Sequence, residues 1–469
     1  MSVNGNILRL AVPSILANIT VPLVGMVDLA VAGHLDASAP GAVSGATLIG
    51  GAAVGSMLFD LLYWNFGFLR IGTGGLTAQA CGRGDMGGCA RVFIRSCGIA
   101  MACAFVLLAL QWLFLQAAFL VVDCTPQVRS LAERYFFIRI WAAPATLCLM
   151  AFKGWFIGMQ DGVSPMITDM TVNVMNAVLS IVLALGLNVG DLHYEGIGFA
   201  GIAAGTVAAQ YTGLLTAASI VFFKYRRRVF SGLAKIDIVS VFRGGETGKF
   251  FSMNSDLFIR SVCFIGIYIG FTMIAAHCGD LILACGSILM KIMMLFSYFT
   301  DGFAYAAEAL AGRYIGERNV ASFRLTVKSV FLWSMGIAVL FMAIYATSGT
   351  PLLRMMTSDE SVISLGRKYL PWLLAMPLAG CAAFTWDGIY VGATASGSMR
   401  NAGLMALAGF FAAYFLGIAV FPSGEADTEA YGRAVLHVLL AAYFIHLLVR
   451  TVYLSFRYRP EILSKAFSS

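Results

Sequence analysis

The chain has 469 residues, 59% of them hydrophobic and only 12% charged. A soluble domain carries about 25% charged residues, so this chain cannot cover itself in water, and lipid is the solvent that tolerates it. The net charge of +7 does not indicate a nucleic-acid partner, because the basic residues gather in alternate loops, which is a signature of membrane topology.

A spanning helix needs roughly 20 mostly apolar residues. A scan at that length predicts about twelve, near 8–34, 43–70, 92–120, 130–152, 165–187, 197–224, 251–277, 281–310, 325–348, 363–390, 401–421 and 433–456. The fold class expected is an all-α polytopic membrane protein, with the helices in two pseudo-symmetric six-helix bundles. Arg83, Arg91 and Arg95 lie in one set of loops, as do Lys224, Arg226, Arg227, Arg228, Lys235, Arg243 and Lys249, then Arg313, Arg318, Arg324 and Lys328. The opposite loops are short and more acidic, with Asp36, Asp123, Asp191, Glu195, Asp359, Glu360, Glu425 and Asp427. Both termini are therefore expected in the cytoplasm.

The first segment is too long for a cleavable signal, and Pro13 and Pro22 interrupt it. Asp28 is the only charge between Leu10 and Gly33. A charge at the centre of a spanning helix costs at least about 2.5–3.5 kcal/mol, so Asp28 is expected to exchange a cation across the membrane. The alternative is a helix-end carboxylate reaching the headgroups, since His34 follows six residues later. Pro13 and Pro22 remove backbone hydrogen bonds and are hinge candidates, with the bend expected to respond to protonation of Asp28. Asp60 and Arg70 in the second segment have no assigned role.

The loop Gly82-Arg83-Gly84-Asp85-Met86-Gly87 fits G-x-G-x-x-G but follows a membrane helix rather than a strand, so it does not mark a dinucleotide site. The fifth segment carries Asp169, Asn173, Asn176 and Ser180 at spacings of four, three and four. They form one polar stripe, which in lipid faces the bundle interior.

Positions 234 residues apart correspond. Tyr135 meets Tyr369, Gly154 meets Gly388, Gly158 meets Gly392 and Ser164 meets Ser398. The chain therefore reads as a duplication: a lobe over 1–223, a basic cytoplasmic linker over 224–249, and a second lobe over 250–469. Two helical lobes of this kind suit alternating access. Glycines four apart, as in Gly154/Gly158 and Gly201/Gly205, let helix backbones approach closely. In the second lobe Asp256 and Arg260 are spaced to pair on one helix. Lys291, Tyr298, Asp301, Tyr305 and Glu308 share one face, and Asp387 lies in the tenth segment. These mixed signs read as a self-neutralising network. The five histidines show no H-E-x-x-H spacing and no G-x-S-x-G occurs, so no metal site, cofactor or enzyme chemistry is expected.

Several strings resemble the multidrug and toxic compound extrusion (MATE) family, in its DNA-damage-inducible branch. They are Val27-Asp28-Leu29-Ala30-Val31-Ala32-Gly33-His34, Phe68-Leu69-Arg70-Ile71-Gly72-Thr73-Gly74-Gly75-Leu76-Thr77-Ala78-Gln79, Gly158-Met159-Gln160, Asp301-Gly302-Phe303-Ala304-Tyr305-Ala306-Ala307-Glu308, Asp387-Gly388-Ile389-Tyr390-Val391-Gly392-Ala393-Thr394 and Met399-Arg400-Asn401. The resemblance implies twelve helices in two lobes and export of amphipathic, often cationic drugs against proton or sodium entry, from a bacterial inner membrane. It places the first-helix aspartate of the family on Asp28, with Tyr135, Asn176 and Thr206 as partners and Asn173 alongside. Relatives often carry an aspartate where this chain has Ser180. A sodium site wants several oxygen ligands, so the departure favours protons. Asp387 matches an aspartate that another branch uses for cations, without a glutamate on the seventh helix to accompany it. A monomer is expected, with drug-like small molecules as partners and Phe152 and Trp155 as apolar walls for them. A flippase for lipid-linked substrates is the competing reading on the same superfamily fold, but a pyrophosphate headgroup calls for several Arg or Lys, and in the first lobe Arg139 is the main candidate.

Overall fold

The structure, a computed structural model, describes residues 2–35, 44–120, 122, 124–189, 192–227, 229, 241–242, 245–420 and 428–467. Asp36, Asp123, Asp191, Arg228, Lys235, Arg243, Glu425 and Asp427, with most of the expected basic linker, lie outside these. Among the described residues, 12 helices are long and apolar enough to cross a membrane. They are α1 (Val3–Gly33), α2 (Gly45–Gly82), α3 (Met86–Phe119), α4 (Pro126–Gly158), α5 (Val163–Leu185), α6 (Phe199–Tyr225), α7 (Thr247–His277), α8 (Asp280–Gly316), α9 (Val320–Met356), α10 (Glu360–Gly392), α11 (Ser396–Val420) and α12 (Ala430–Ser464). A small antiparallel hairpin, β1 (Leu187–Val189) with β2 (Leu192–Tyr194), joins α5 to α6.

The chain divides into two compact units, residues 16–247 and residues 1–15 with 248–469. The division falls inside α1 just beyond Pro13, and α1 is one helix through both Pro13 and Pro22. Local irregularities have local causes. Pro144 lacks the amide that would continue the ladder, and the backbone tightens into a 3₁₀ turn at Ile140–Ala142 just before it. The core of the unit formed by 16–247 includes an aromatic cluster of Phe152, Trp155, Phe156 and Tyr225. The other unit is filled around Phe271, Phe296, Phe341 and Phe410.

The 234-residue correspondence recurs in the backbone. Gly84 and Arg318 both have positive φ, at 73° and 57°. Asp85 N donates to Ala80 O at 3.0 Å, and Asn319 N donates to Tyr314 O at 2.9 Å. Each of these two residues then caps the next helix, Asp85 accepting from Gly88 N at 2.7 Å and Asn319 from Ser322 N at 3.0 Å. The turns after α4 and α10 repeat the device, with Gln160 at φ 61° and Thr394 at φ 53°. Their glycines repeat it as well. A Cβ on Gly154 would lie 2.1 Å from the Arg70 carbonyl oxygen, and one on Gly388 would lie 2.2 Å from that of Ala304. Thus α4 rests on α2 and α10 on α8 by the same backbone contact.

The α4–α5 turn is tied to the end of α6. Asp161 accepts from Lys224 Nζ at 2.6 Å, Tyr225 Oη at 2.7 Å, Ser164 N at 3.1 Å and Ser164 Oγ. Lys224 and Tyr225 sit in a π-helical turn, Val221–Tyr225. Burial opposes the charged carboxyl, but the hydrogen bonds from Lys224, Ser164 and Tyr225 outweigh it and hold Asp161 below the usual carboxylate range. Lys224, expected in a solvated linker, is instead part of this clamp.

Two predictions follow from these contacts. Gly154→Ala and Gly388→Ala should each destabilise the protein by about 1–3 kcal/mol, the usual cost of overpacking. Gly336→Ala, which meets open space, should stay within about 0.5 kcal/mol of the parent; thermal unfolding of purified protein in detergent reads both. Asp161→Asn should lower thermal stability at neutral pH. Because the folded carboxyl is depressed below its unfolded value near 3.9, its stabilisation is present above about pH 5 and lost as pH falls through the folded value. The gap between parent and Asp161→Asn should therefore be constant from neutral pH down to about 5 and close below it, as melting curves across that range would show.

Candidate functional site

The site in the unit formed by 16–247 begins with how closely α5 and α6 pack. A Cβ on Gly205 would lie 2.6 Å from Ser180 N, and one on Gly201 would lie 2.4 Å from the Leu183 carbonyl. The absence of side chains there lets the polar stripe of α5 meet α6 directly. Asn176 Nδ2 donates to Thr206 Oγ1 at 2.8 Å, and Thr206 donates to Ile202 O at 3.2 Å. Ser180 Oγ donates to Asp28 Oδ1 at 3.1 Å and lies 3.4 Å from Ile202 O. Asn173 Nδ2 donates to Thr20 Oγ1 at 2.5 Å, so the stripe touches α1 at two levels. Asp28, Asn176, Ser180 and Thr206 are all buried, Asp28 to 3% exposure. That burial argues against a carboxylate reaching the headgroups.

Asp169 does not join this group. Its carboxylate accepts from Lys153 Nζ on α4 at 2.6 Å. It lies eleven residues from Ser180, about 16 Å along the helix, so it cannot supply a second carboxylate beside Asp28.

Tyr135 is fully buried on α4, and its hydroxyl is the meeting point of a second group. It accepts from Arg139 at 2.9 Å and lies 3.3 Å from Ser56 Oγ, which also accepts from Arg139 at 3.2 Å. Arg139 lies over the Phe59 ring at 4.9 Å, which fixes the plane of its guanidinium. Tyr135 and Arg139 both act on Asp28 electrostatically, and Arg139 also faces Asp60. No lysine or arginine among the described residues makes an ion pair with Asp28. The cluster therefore holds two carboxyls and one guanidinium.

The sequence reading missed Ser56 and the central place of Arg139, and left Asp60 without a role. Two signals point to them in hindsight: an ionisable residue within each apolar segment, and the i,i+4 spacing of Tyr135 and Arg139 on one helix face. Phe152 and Trp155 are corrected from cavity walls to core. Trp155 is 0% exposed, its Nε1 donates to Cys89 O at 3.0 Å, and Phe152 packs edge-on to Phe93. Aromatic rings this size stabilise most where they are fully enclosed.

In the other unit, Asp387 accepts from Arg260 and from Arg450, the latter at 2.5 Å. Asp256 accepts from Arg400 at 2.7 Å and Ser396 at 2.8 Å. The expected pairing of Asp256 with Arg260 is thus replaced by bonds to other helices, where the geometry brings arginines from α11 and α12. Arg450 was not anticipated. On α8, Glu308 is buried, Asp301 half-buried and Lys291 exposed.

Arg139→Gln removes the charged donor to the Tyr135 and Ser56 hydroxyls and should cost about 1–3 kcal/mol of stability. Adding Asp60→Asn should recover part of that loss, and a double-mutant cycle read by thermal unfolding measures the coupling.

Comparison with known proteins agrees with this architecture. The MatE family profile matches residues 13–182 and 257–415. The chain is 31% identical to the DNA damage-inducible protein F of Escherichia coli (strain K12) over 402 residues, covering 86% of this chain and 83% of that protein. It is 23% identical to the chloroplastic Protein DETOXIFICATION 44 of Arabidopsis thaliana, covering 88% of this chain and 76% of that protein. A solved structure of a multidrug resistance MATE family transporter of the MOP superfamily, in an outward-facing conformation, superposes with a TM-score of 0.80 at 16% identity. That superposition covers 100% of this chain and 98% of the other. With a matching profile across both halves, a relative above 30% identity and twelve membrane-length helices, the chain belongs to the MATE family of multidrug transporters.

Proposed function

We propose that this chain is a proton-coupled antiporter that exports amphipathic, cationic small molecules by alternating access, and not an enzyme. Asp28 carries the reading. It is a carboxyl 3% exposed in an apolar helix, held by the Ser180 hydroxyl and without an ion-pair partner among the described residues. A carboxyl so placed is compensated either by a proton or by a cationic substrate. If the two exclude one another, entry of protons drives exit of the drug.

The oxygen set around Asp28 supports protons over sodium. A hard cation wants several oxygen ligands, carboxylates among them. Ser180 supplies only a hydroxyl, and Asp169 is committed to Lys153. Ser180 holds Asp28 directly, and Asn173, Asn176 and Thr206 beside it carry no charge of their own. The alternation of basic and acidic loops supports cytoplasmic termini in a bacterial inner membrane, with one chain sufficient as the transporting unit.

The test is ethidium transport in proteoliposomes under an imposed pH or sodium gradient. Parent protein should respond to the pH gradient, and Asp28→Asn should lose at least about tenfold of that response, or about 1.4 kcal/mol of coupling. Full gradient-driven transport by Asp28→Asn would remove Asp28 from the mechanism, and a response to sodium alone would transfer the coupling to that ion.

A further inference from the structure

Helices α5 and α6 touch through Gly201 and Gly205, and again at Gly213, where a Cβ would lie 2.2 Å from Val172 Cγ2. Beyond Gly213, towards the α4–α5 turn, neither helix carries another glycine. Full side chains hold the helices apart there. A cleft of about 590 Å³ opens between them, lined by Val163 and Ile167 on α5 and by Leu215, Ile220 and Phe223 on α6. Leu215 and Phe223 are exposed to 69% and 83%. At the turn the helices are tied again by Lys224, whose ammonium donates to Asp161 at 2.6 Å and to Ser164 Oγ at 3.4 Å.

Apolar exposure alone marks only a helix that faces lipid. This cleft adds shape, length and charge. Two threonines on its wall spend their hydroxyl protons inside α6, Thr212 on Ala208 O at 2.8 Å and Thr216 on Thr212 O at 2.9 Å, which leaves their methyl groups to a hydrocarbon neighbour. From Thr212 to Lys224 the lined face spans twelve residues, about 18 Å. That is close to the roughly 15 Å of hydrocarbon in half a bilayer. The end of the cleft is basic. Lys224, Arg226 and Arg227 are all exposed there, and Asp161 offsets one of their three charges.

We propose that this cleft binds an anionic phospholipid. One acyl chain lies along the α5–α6 cleft, and the phosphate sits at the helix end among Lys224, Arg226 and Arg227. An ammonium carries three N–H donors. Asp161 and Ser164 take two of those on Lys224, so a phosphate oxygen takes the third without breaking the clamp. The two guanidinium groups match phosphate oxygens in pairs. A zwitterionic lipid fits the same cleft but brings its own cation to the basic end, so it gains less there. The site lies wholly within the unit formed by 16–247 and does not involve Asp28, so it stands whichever ion drives transport.

The experiment is native mass spectrometry of purified, delipidated full-length protein, with dioleoyl phosphatidylglycerol and dioleoyl phosphatidylcholine added back at equal concentration. The parent should retain phosphatidylglycerol at least about fivefold over phosphatidylcholine. The double variant Arg226→Gln with Arg227→Gln should erase that preference and leave phosphatidylcholine retention unchanged. Thr216→Trp fills the cleft and should lower retention of both lipids by about threefold or more. Val174→Trp, at an exposed position of α5 outside the cleft, should change neither. Equal retention of the two lipids by the parent, or full retention by Thr216→Trp, overturns the site. So does displacement of phosphatidylglycerol by water-soluble glycerol phosphate, which would make it a bare anion site. A dimer that Thr216→Trp breaks would overturn it as well, by assigning the face to a second copy of the chain.

Discussion

A carboxyl enclosed in a helix that crosses an apolar medium has to be compensated by whatever the neighbouring helices bring to it. The rest of this architecture serves that requirement at Asp28. The hydroxyl of Ser180 reaches Asp28 only because α5 lies against α6 with glycines at the contact. Asn176 and Thr206 complete the same layer by bonding one another. A bulkier residue at Gly205 would push Ser180 away, so close helix packing and the chemistry of the carboxyl are one constraint seen at two scales.

The duplication supplies the scaffold twice and the chemistry once in each form. Positive-φ turns, helix caps and glycine–carbonyl contacts recur 234 residues apart. The charged side chains do not follow. One unit sets two acids, Asp28 and Asp60, around Arg139, while the other sets Arg260 and Arg450 around Asp387. The backbone repeat is held by steric contacts that tolerate little change. Side chains facing a polar interior are free to diverge so long as each buried charge finds a partner. The two units therefore share a backbone pattern and differ in which charges they bring together.

The Asp161 clamp shows how an apparently solvated charge is drawn into structure. A lysine at the end of an apolar helix reads as a topology marker, and Lys224 does belong to a basic run. Its ammonium nevertheless closes a network with Tyr225 and Ser164 on one carboxylate. Spacing along the chain could not reveal this, because Lys224 and Asp161 are brought together by the packing of α6 on the α4–α5 turn.

The sequence by itself determined the solvent, the helix count, the repeat and the presence of a lone acid, Asp28, within an apolar helix. Each of these depends on hydropathy, local spacing or the cost of a charge in lipid, and all three are properties of a linear segment. The α5 stripe was legible for the same reason, since a helix places residues four apart on one face. Only the tertiary structure decided which charges meet. It sent Asp169 to Lys153, brought Ser56 to the Tyr135–Arg139 pair, buried Trp155 in the core and gave Asp387 two arginines from other helices. Those pairings join different helices, and the distance and angle between two side chains on different helices are set by packing, which no periodicity along one segment encodes.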